Sequence, residues 1–270
     1  MNPIKLWPLK SWILYFIFIP LIVLGIFILP QSFKDSFLIL KSSEPTVISA
    51  FFSNYTHSSI GHLLNNLIVY LLVIFLLFSI EQKKKLFYVT SGFLLILLPF
   101  ISSLTTIYFL PKFNAQGFSI TVSGFIGYYL YAVVAFIKKR FSINTNTLLL
   151  MFIMLNVTIL LLVNYNLSLL TLVSIFLTML LITLNLRPIR MLRNYIIVSA
   201  RTKEPYLKIL PKLFYFGLSL IFIFYLPFLI PDVILSEGVI IYTFGHFLGY
   251  MIGIYLPIFI QKLNLLSNFS

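Results

Sequence analysis

The chain has 270 residues, of which 60 % are hydrophobic and 9 % are charged, whereas a soluble globular protein carries about 25 % charged residues. So little charge cannot cover a surface in contact with water, which excludes a soluble protein, and the abundance of Phe, Ile and Leu excludes a disordered one. Cysteine is absent, which excludes a disulfide framework, a thiolate metal site and a cysteine nucleophile. The remaining class is an integral, multi-pass membrane protein.

Eight stretches of the sequence are apolar over about the 20 residues that a membrane-spanning helix needs. They are residues 11–29, 60–80, 86–110, 117–137, 147–163, 167–186, 213–230 and 238–260. Only a three-residue connection, 164–166, separates the fifth stretch from the sixth, which predicts a tight helical hairpin. The expected fold is an all-α polytopic membrane protein that forms a single integral membrane domain over residues 1–270.

The basic residues predict how the chain is oriented, because Lys and Arg gather on the cytoplasmic side of a membrane. If the N-terminus is inside, sixteen of the 19 basic residues are cytoplasmic, and only Lys34, Lys41 and Lys112 are outside. Both termini are therefore expected to be cytoplasmic. The net charge of +13 then reflects topology and contact with the lipid bilayer, and no nucleic-acid partner is needed to explain it. The basic segment 187–212 is expected to be a solvated cytoplasmic loop, with a lipid or partner contact as the less favoured alternative.

The acidic residues exclude several membrane functions, because none of the six lies in a predicted span. Proton relays and ion-coupled transporters usually place an acid at mid-membrane, and a membrane aspartyl protease needs two aspartates. Three histidines without any cysteine also argue against a tetrahedral metal site. No metal and no other cofactor is expected.

Polar residues inside the spans are the candidates for function. In the second span His62 and Asn66 share one helix face, which alone indicates an interhelical hydrogen-bonding pair. In the fourth span Ser119, Ser123 and Gly127 form a stripe of small residues, which is typical of helix packing. A serine in the first helical turn also lies near free backbone N–H groups, which can stabilise an oxyanion.

The eighth span adds a histidine on a glycine-lined face. Gly249 and Gly253 follow His246 on its own side of the helix, and such a face lets two helices approach closely. The small-residue stripe that begins at Ser119 is the expected partner. In the predicted topology Ser119, His246 and His62 meet in the outer half of the membrane, where water can reach them.

Together these clusters resemble the rhomboid family of intramembrane serine proteases. The matching motifs are Thr56-His57-Ser58-Ser59-x-x-His62-Leu63-Leu64-x-Asn66, Gly117-Phe118-Ser119 and Gly245-His246-x-x-Gly249-x-x-x-Gly253. The resemblance implies a rhomboid-like six-helix core at about residues 11–137 and 238–260. Residues 147–230 hold three apolar stretches and the basic loop. One of these stretches would complete the core and two would be additional helices, which makes eight spans.

The resemblance also implies a role for each matching residue. Ser119 would be the nucleophile and His246 the general base, while His62, Asn66 and the Ser119 backbone N–H would bind the oxyanion. Two residues would support them (His57 and Gly117), and four glycines would pack the helices (Gly124, Gly127, Gly249 and Gly253). Since no acid lies in a span, the pair would act as a dyad. The expected substrates are transmembrane proteins, cleaved at the outer side of a prokaryotic plasma membrane. The sequence leaves the oligomeric state open.

Departures from the family pattern leave alternatives open. Ile120 stands where the family usually has glycine, and Ser123 stands where it often has an aromatic residue. Ser123, which Gly124 follows, is an alternative nucleophile, but Ser119 is favoured because Gly117 precedes it at the family spacing. The departures also favour a second hypothesis, a catalytically inactive client-binding protein. The two extra helices and the prolines within the spans allow a third and less favoured one, a transporter or channel.

Overall fold

Helices make up most of the described chain. The structure is a computed structural model and describes residues 7–81, 83–141, 147–165, 168–201, 235–236, 239–240 and 243–263. In chain order its helices are α1 (Leu9–Phe27), α2 (Gln31–Phe33), α3 (Val47–Phe52), α4 (Ile60–Ile80), α5 (Lys84–Phe109), α6 (Ser119–Phe141), α7 (Thr147–Tyr165), α8 (Leu169–Leu184), α9 (Leu186–Arg201) and α10 (Thr243–Lys262). Two antiparallel pairs join β1 (Leu40–Lys41) to β2 (Asn114–Ala115) and β3 (Leu235–Ser236) to β4 (Val239–Ile240).

Within the described residues, four helices are long and apolar enough to cross a membrane: α1, α4, α5 and the segment Ser119–Lys139 of α6. Large apolar side chains on these helices point outward, among them Phe18, which is 55 % exposed, and Ile68, which is 62 % exposed. Lipid is the solvent that accepts such a surface. The protein is therefore an all-α membrane protein, as predicted. Two shorter apolar helices, Thr147–Leu162 and Leu169–Leu184, follow, and the predicted span 213–230 lies outside the described residues.

The segment 187–212, expected to be a cytoplasmic loop between spans, begins as a helix, which the sequence did not predict. The carbonyl oxygen of Asn185 accepts the N–H of Ile189 at 3.0 Å, so α9 starts directly after α8. Pro188 does not prevent this, because it lies in the first turn of α9, where a backbone N–H has no intrahelical partner to lose.

The chain forms two compact units, one made of Met1–Ala132 with Val233–Ser270 and the other of Val133–Asp232. In the second unit α7 and α8 pack along each other, as their short connection predicts. The hydroxyl oxygens of Thr158 and Thr178 lie 2.8 Å apart between the two helices, and both side chains are buried. Hydrogen bonds between hydroxyls are a common way to join helices where no water competes.

In the first unit, the connection between α1 and α4 is attached to α5 at Pro99. A proline has no N–H, so it leaves the carbonyl oxygen of Leu95, one turn earlier, without its helical donor. The hydroxyl of Tyr55 donates to that oxygen, and the side-chain amide of Asn54 donates to the carbonyl oxygen of Pro99 at 3.2 Å. The hydroxyl of Ser102 donates back to Asn54 Oδ1 at 2.8 Å. This connection carries the first residues of the candidate site.

Candidate active site

The loop that precedes α6 is held at three points, which together fix where α6 begins. The first point is the pairing of β2 with β1. The second is a hydrogen bond from the N–H of Gly117 to the carbonyl oxygen of Ser53 at 2.9 Å, and the third runs from the N–H of Phe118 to His57 Nε2 at 3.4 Å. Gly117 has a φ of +131°, a conformation that suits glycine and strains other residues.

The structure brings Ser119 and His246 together. Ser119 begins α6, and its Oγ lies 2.7 Å from Nε2 of His246 in the first turns of α10, which is a normal hydrogen-bond length. If Ser119 donates, the proton of a neutral His246 ring is on Nδ1. That atom is buried and has no hydrogen-bond partner within the described part of the chain. Among the described residues, the arrangement is a pair without an acid behind the histidine.

Glycines bring the backbones of α6 and α10 into contact. Side chains at three glycines would collide with a carbonyl oxygen of the facing helix: Gly127 with that of Tyr250, Gly249 with that of Ile120, and Gly253 with that of Gly124. A Cβ at Gly124 would lie 2.8 Å from a side-chain carbon of Leu94 on α5. The four glycines that the sequence assigned to packing therefore lie at helix contacts, and they set the distance between the helices that carry Ser119 and His246.

His57 connects α4 to the loop before Ser119. Its Nε2 lies 3.0 Å from the amide nitrogen of Asn66 and also faces the N–H of Phe118, so it accepts two hydrogen bonds and its ring proton is on Nδ1. The ring is fully buried, and this burial lowers the pKa of His57 to about 4, so the residue is neutral at pH 7. One N–H of the Asn66 amide is therefore used inside the protein, and its second N–H is left for other acceptors.

His62 lies beside the same loop. A Cβ added at Gly117 would come 3.1 Å from Cε1 of His62 and 3.7 Å from Oγ of Ser119. The absence of a side chain at Gly117 therefore leaves a small space between the imidazole and the hydroxyl. The rings of His57 and His62 pack edge to face with their centroids 5.1 Å apart.

Ser123, the alternative nucleophile, does not share the position of Ser119. Its hydroxyl donates to the carbonyl oxygen of Ser119 at 2.9 Å, back onto its own helix. Of the two serines, it is Ser119 whose hydroxyl contacts His246. Among the described residues there is no group of three or more His, Cys, Asp or Glu side chains arranged to hold a metal ion.

Sequence reasoning predicted His57 and Gly117 as supporting residues but missed the contacts that hold the site in place. The contact of His57 with both Asn66 and Phe118 was not predicted, nor was the attachment of Tyr55 to α5. A signal for Tyr55 was present, because Pro99 interrupts a predicted span and must leave one carbonyl oxygen without a donor. No comparable signal indicated how the connection before α4 folds back on the loop before α6.

No protein-family model, no curated protein and no solved structure matches this chain. A functional assignment therefore rests on the geometry of the site and on the motifs of the sequence.

Proposed function

We propose that this protein is an intramembrane serine endopeptidase of the rhomboid type. The observation that carries the proposal is the 2.7 Å separation of Ser119 Oγ and His246 Nε2. In the proposed peptide-bond hydrolysis, Ser119 Oγ attacks the carbonyl carbon of the peptide bond while His246 Nε2 takes the hydroxyl proton. The same nitrogen then gives the proton to the leaving amine, and a water molecule hydrolyses the acyl-enzyme by the reverse use of the same pair.

The proposed oxyanion site is the space beside Gly117. The carbonyl oxygen of the substrate becomes negatively charged in the tetrahedral intermediate, and fixed N–H donors lower the energy of that state. The ring of His62 and the hydroxyl of Ser119 border this space. The proposed donors are His62, the backbone N–H of Ser119 and the second N–H of the Asn66 amide. His57 is a positioning residue, since it holds Asn66 and the Phe118 backbone on either side of one ring nitrogen.

The dyad explains how a histidine works here without an aspartate. In a Ser-His-Asp triad the acid fixes the imidazole in one orientation. Here the glycine contacts between α6 and α10 hold the backbone of the histidine helix against that of the serine helix. Helix packing therefore supplies the alignment that a third side chain supplies elsewhere.

The proposal includes a topology with eight spans, cytoplasmic termini and a site that opens to the outer side. It is supported by the distribution of basic residues, of which sixteen in 19 fall on one side in that arrangement. Ser119 and His246 lie in the first turns of α6 and α10. In the proposed topology these turns are on the outer side, as are the segments that hold Lys34, Lys41 and Lys112. The substrates would be single-span proteins, cleaved near the outer end of their helices.

The test is cleavage of a single-span reporter protein by the purified chain in liposomes. Wild-type protein and Ser123→Ala are expected to cleave it and to react with a fluorophosphonate probe, whereas Ser119→Ala and His246→Ala are expected to do neither. Ser123→Ala is the matched control because it removes a hydroxyl one turn away in the same helix. Undiminished cleavage by Ser119→Ala would exclude Ser119 as the nucleophile.

One observation favours a second function, a rhomboid-like protein that binds membrane clients without cleaving them. Ser123 stands where the family often places an aromatic ring against the histidine, and its hydroxyl bonds to its own helix instead. His246 therefore lacks that ring as well as a partner at Nδ1 within the described residues. If this function is correct, the wild-type protein captures the reporter in a pull-down but neither cleaves it nor reacts with the probe.

A further inference from the structure

In the second compact unit, the apolar hairpin of α7 and α8 is followed directly by a helix with a basic face, α9. Residues from the middle to the end of α8 expose apolar side chains, with Phe176 at 68 %, Met179 at 61 % and Leu184 at 61 %. Immediately beyond them, α9 exposes three arginines at intervals of three residues, Arg187, Arg190 and Arg193. Residues three apart are neighbours on a helix, so the guanidinium groups form one continuous stripe, the arginine stripe.

A buried asparagine fixes the stripe at the end of the hairpin. Asn185 is fully buried between α8 and α9, and its side-chain amide donates to the carbonyl oxygen of Leu181 at 2.8 Å. Thr147, at the start of α7, donates its hydroxyl to Asn185 Oδ1 at 3.2 Å. The first arginine of the stripe follows two residues later, so the change from apolar to basic surface takes place at a buried, hydrogen-bonded junction between the two helices.

The stripe has no acidic partner nearby in the chain. No Asp or Glu occurs between Glu81 and Glu204, and none of the hydrogen bonds or ion pairs seen in the described residues involves the three guanidinium groups. Positive charge directly beyond a lipid-exposed apolar surface, with no acidic partner in the described part of the chain, lies at the level of the headgroups. Guanidinium groups suit phosphate there, because they offer paired N–H donors to its oxygens.

We propose that the arginine stripe of α9 binds the phosphate groups of anionic phospholipids in the bilayer. This site is separate from Ser119 and His246 and does not depend on their chemistry. It also replaces the expectation of a solvated linker for this segment: the helix lies at the membrane surface, with Ile189 and Met191 only partly exposed and the arginines against the headgroups.

The absence of native cysteine allows a direct test in the full chain. Asn194 is exposed and lies one helical turn beyond Arg190, so Asn194→Cys with an environment-sensitive fluorophore reports on the stripe. The labelled protein is placed in phosphatidylcholine liposomes with a rising fraction of phosphatidylglycerol. The emission is expected to rise with that fraction and to lose the response near 1 M salt, where charges are screened beyond about 3 Å.

Three variants decide the interpretation. Arg187→Gln, Arg190→Gln and Arg193→Gln together are expected to weaken the apparent affinity for phosphatidylglycerol by about tenfold or more. The corresponding Arg→Lys triple variant keeps the charge but not the paired N–H donors, so it is expected to weaken the affinity less. The matched control changes three exposed lysines of the first unit to Gln and so removes the same charge: Lys10, Lys84 and Lys112. It is expected to respond like the wild type.

Two results would overturn the proposal directly. One is an emission that does not change with the phosphatidylglycerol fraction in the labelled protein with all three arginines. The other is a full response after the three Arg→Gln changes. An equal loss in the lysine control would assign the effect to net charge and would overturn it too.

Discussion

The carbonyl oxygen of Gly124 occupies the place that a side chain at Gly253 would need. Gly253→Ala therefore forces α6 and α10 apart, and we expect a free energy of unfolding lower by about 1–3 kcal/mol. Because α10 carries His246, the proposed function also predicts that fluorophosphonate labelling of Ser119 falls by about a hundredfold, the cost of displacing a catalytic pair by about 1 Å. Stability is measured by thermal unfolding in detergent.

The control for this change is Gly92→Ala. A Cβ at Gly92, in the middle of α5, meets nothing within 4 Å. Alanine is the better helix former by about 1 kcal/mol, so this variant should be as stable as the wild type or more stable. A Gly253→Ala protein that unfolds and labels like Gly92→Ala would contradict the backbone contact.

Tyr55→Phe should remove the donor that the carbonyl oxygen of Leu95 needs. In the membrane no water replaces it, so the free energy of unfolding should fall by about 1–3 kcal/mol. The control is Tyr108→Phe, because Tyr108 lies at the end of α5 and is 80 % exposed. This change should alter the free energy of unfolding by less than about 0.5 kcal/mol. Both are measured by thermal unfolding, and equal effects of the two changes would exclude the Tyr55 contact as the cause.

The contact of His57 with Asn66 predicts that the two residues act together on stability. His57→Ala leaves one donor of Asn66 unpaired, and Asn66→Ala removes one of the two donors to His57 Nε2. Measured by thermal unfolding, the double variant should lose less than the sum of the single losses, by about 1 kcal/mol. As a comparison, Asn66→Ala combined with Tyr108→Phe should be additive. Additive losses for His57 and Asn66 would mean that the hydrogen bond contributes nothing to stability.

Acid should weaken the protein through His57. Its pKa is about 4 in the folded state and about 6.5 in the unfolded state, so the unfolded state binds the proton more readily. The stabilising contribution is then complete above about pH 6.5 and is lost as the pH falls towards 4. The unfolding temperature of the wild type should fall more between pH 7 and pH 4 than that of His57→Gln, which has no titrating group there. Parallel curves for the two proteins would contradict the lowered pKa.

Helix boundaries near the site were predictable because capping signals mark them. The predicted span 60–80 coincides with α4, since the Ser59 side chain accepts the N–H of His62 at 3.3 Å and starts the helix there. The proximity of α6 and α10 also followed from the sequence, because glycines at intervals of three and four leave a flat helix face. These signals are local or periodic, and a sequence displays both.

The supports of the site were not predictable in the same way. The resemblance to the rhomboid family assigned Asn66 to the oxyanion, and helix periodicity placed it on the His62 side, but its contact with His57 depends on how a short connection folds back. The same holds for the hydrogen bond from Gly117 to Ser53, which joins residues far apart in the chain. The helical start of segment 187–212 was missed because its charge favoured a loop, although the three-residue spacing of its arginines was visible.

The irregularity that Pro99 introduces into α5 helps to hold the neighbouring segment in place. A change of Pro99 to alanine would restore an N–H to α5 and complete its ladder of hydrogen bonds. That N–H would compete with the Tyr55 hydroxyl for the oxygen of Leu95 and displace the segment that leads to His57. Helix α5 would then be more regular, but it would lose its hydrogen bond to the segment that leads to the candidate site. The carbonyl oxygen that Pro99 leaves without a helical donor is therefore an attachment point for Tyr55.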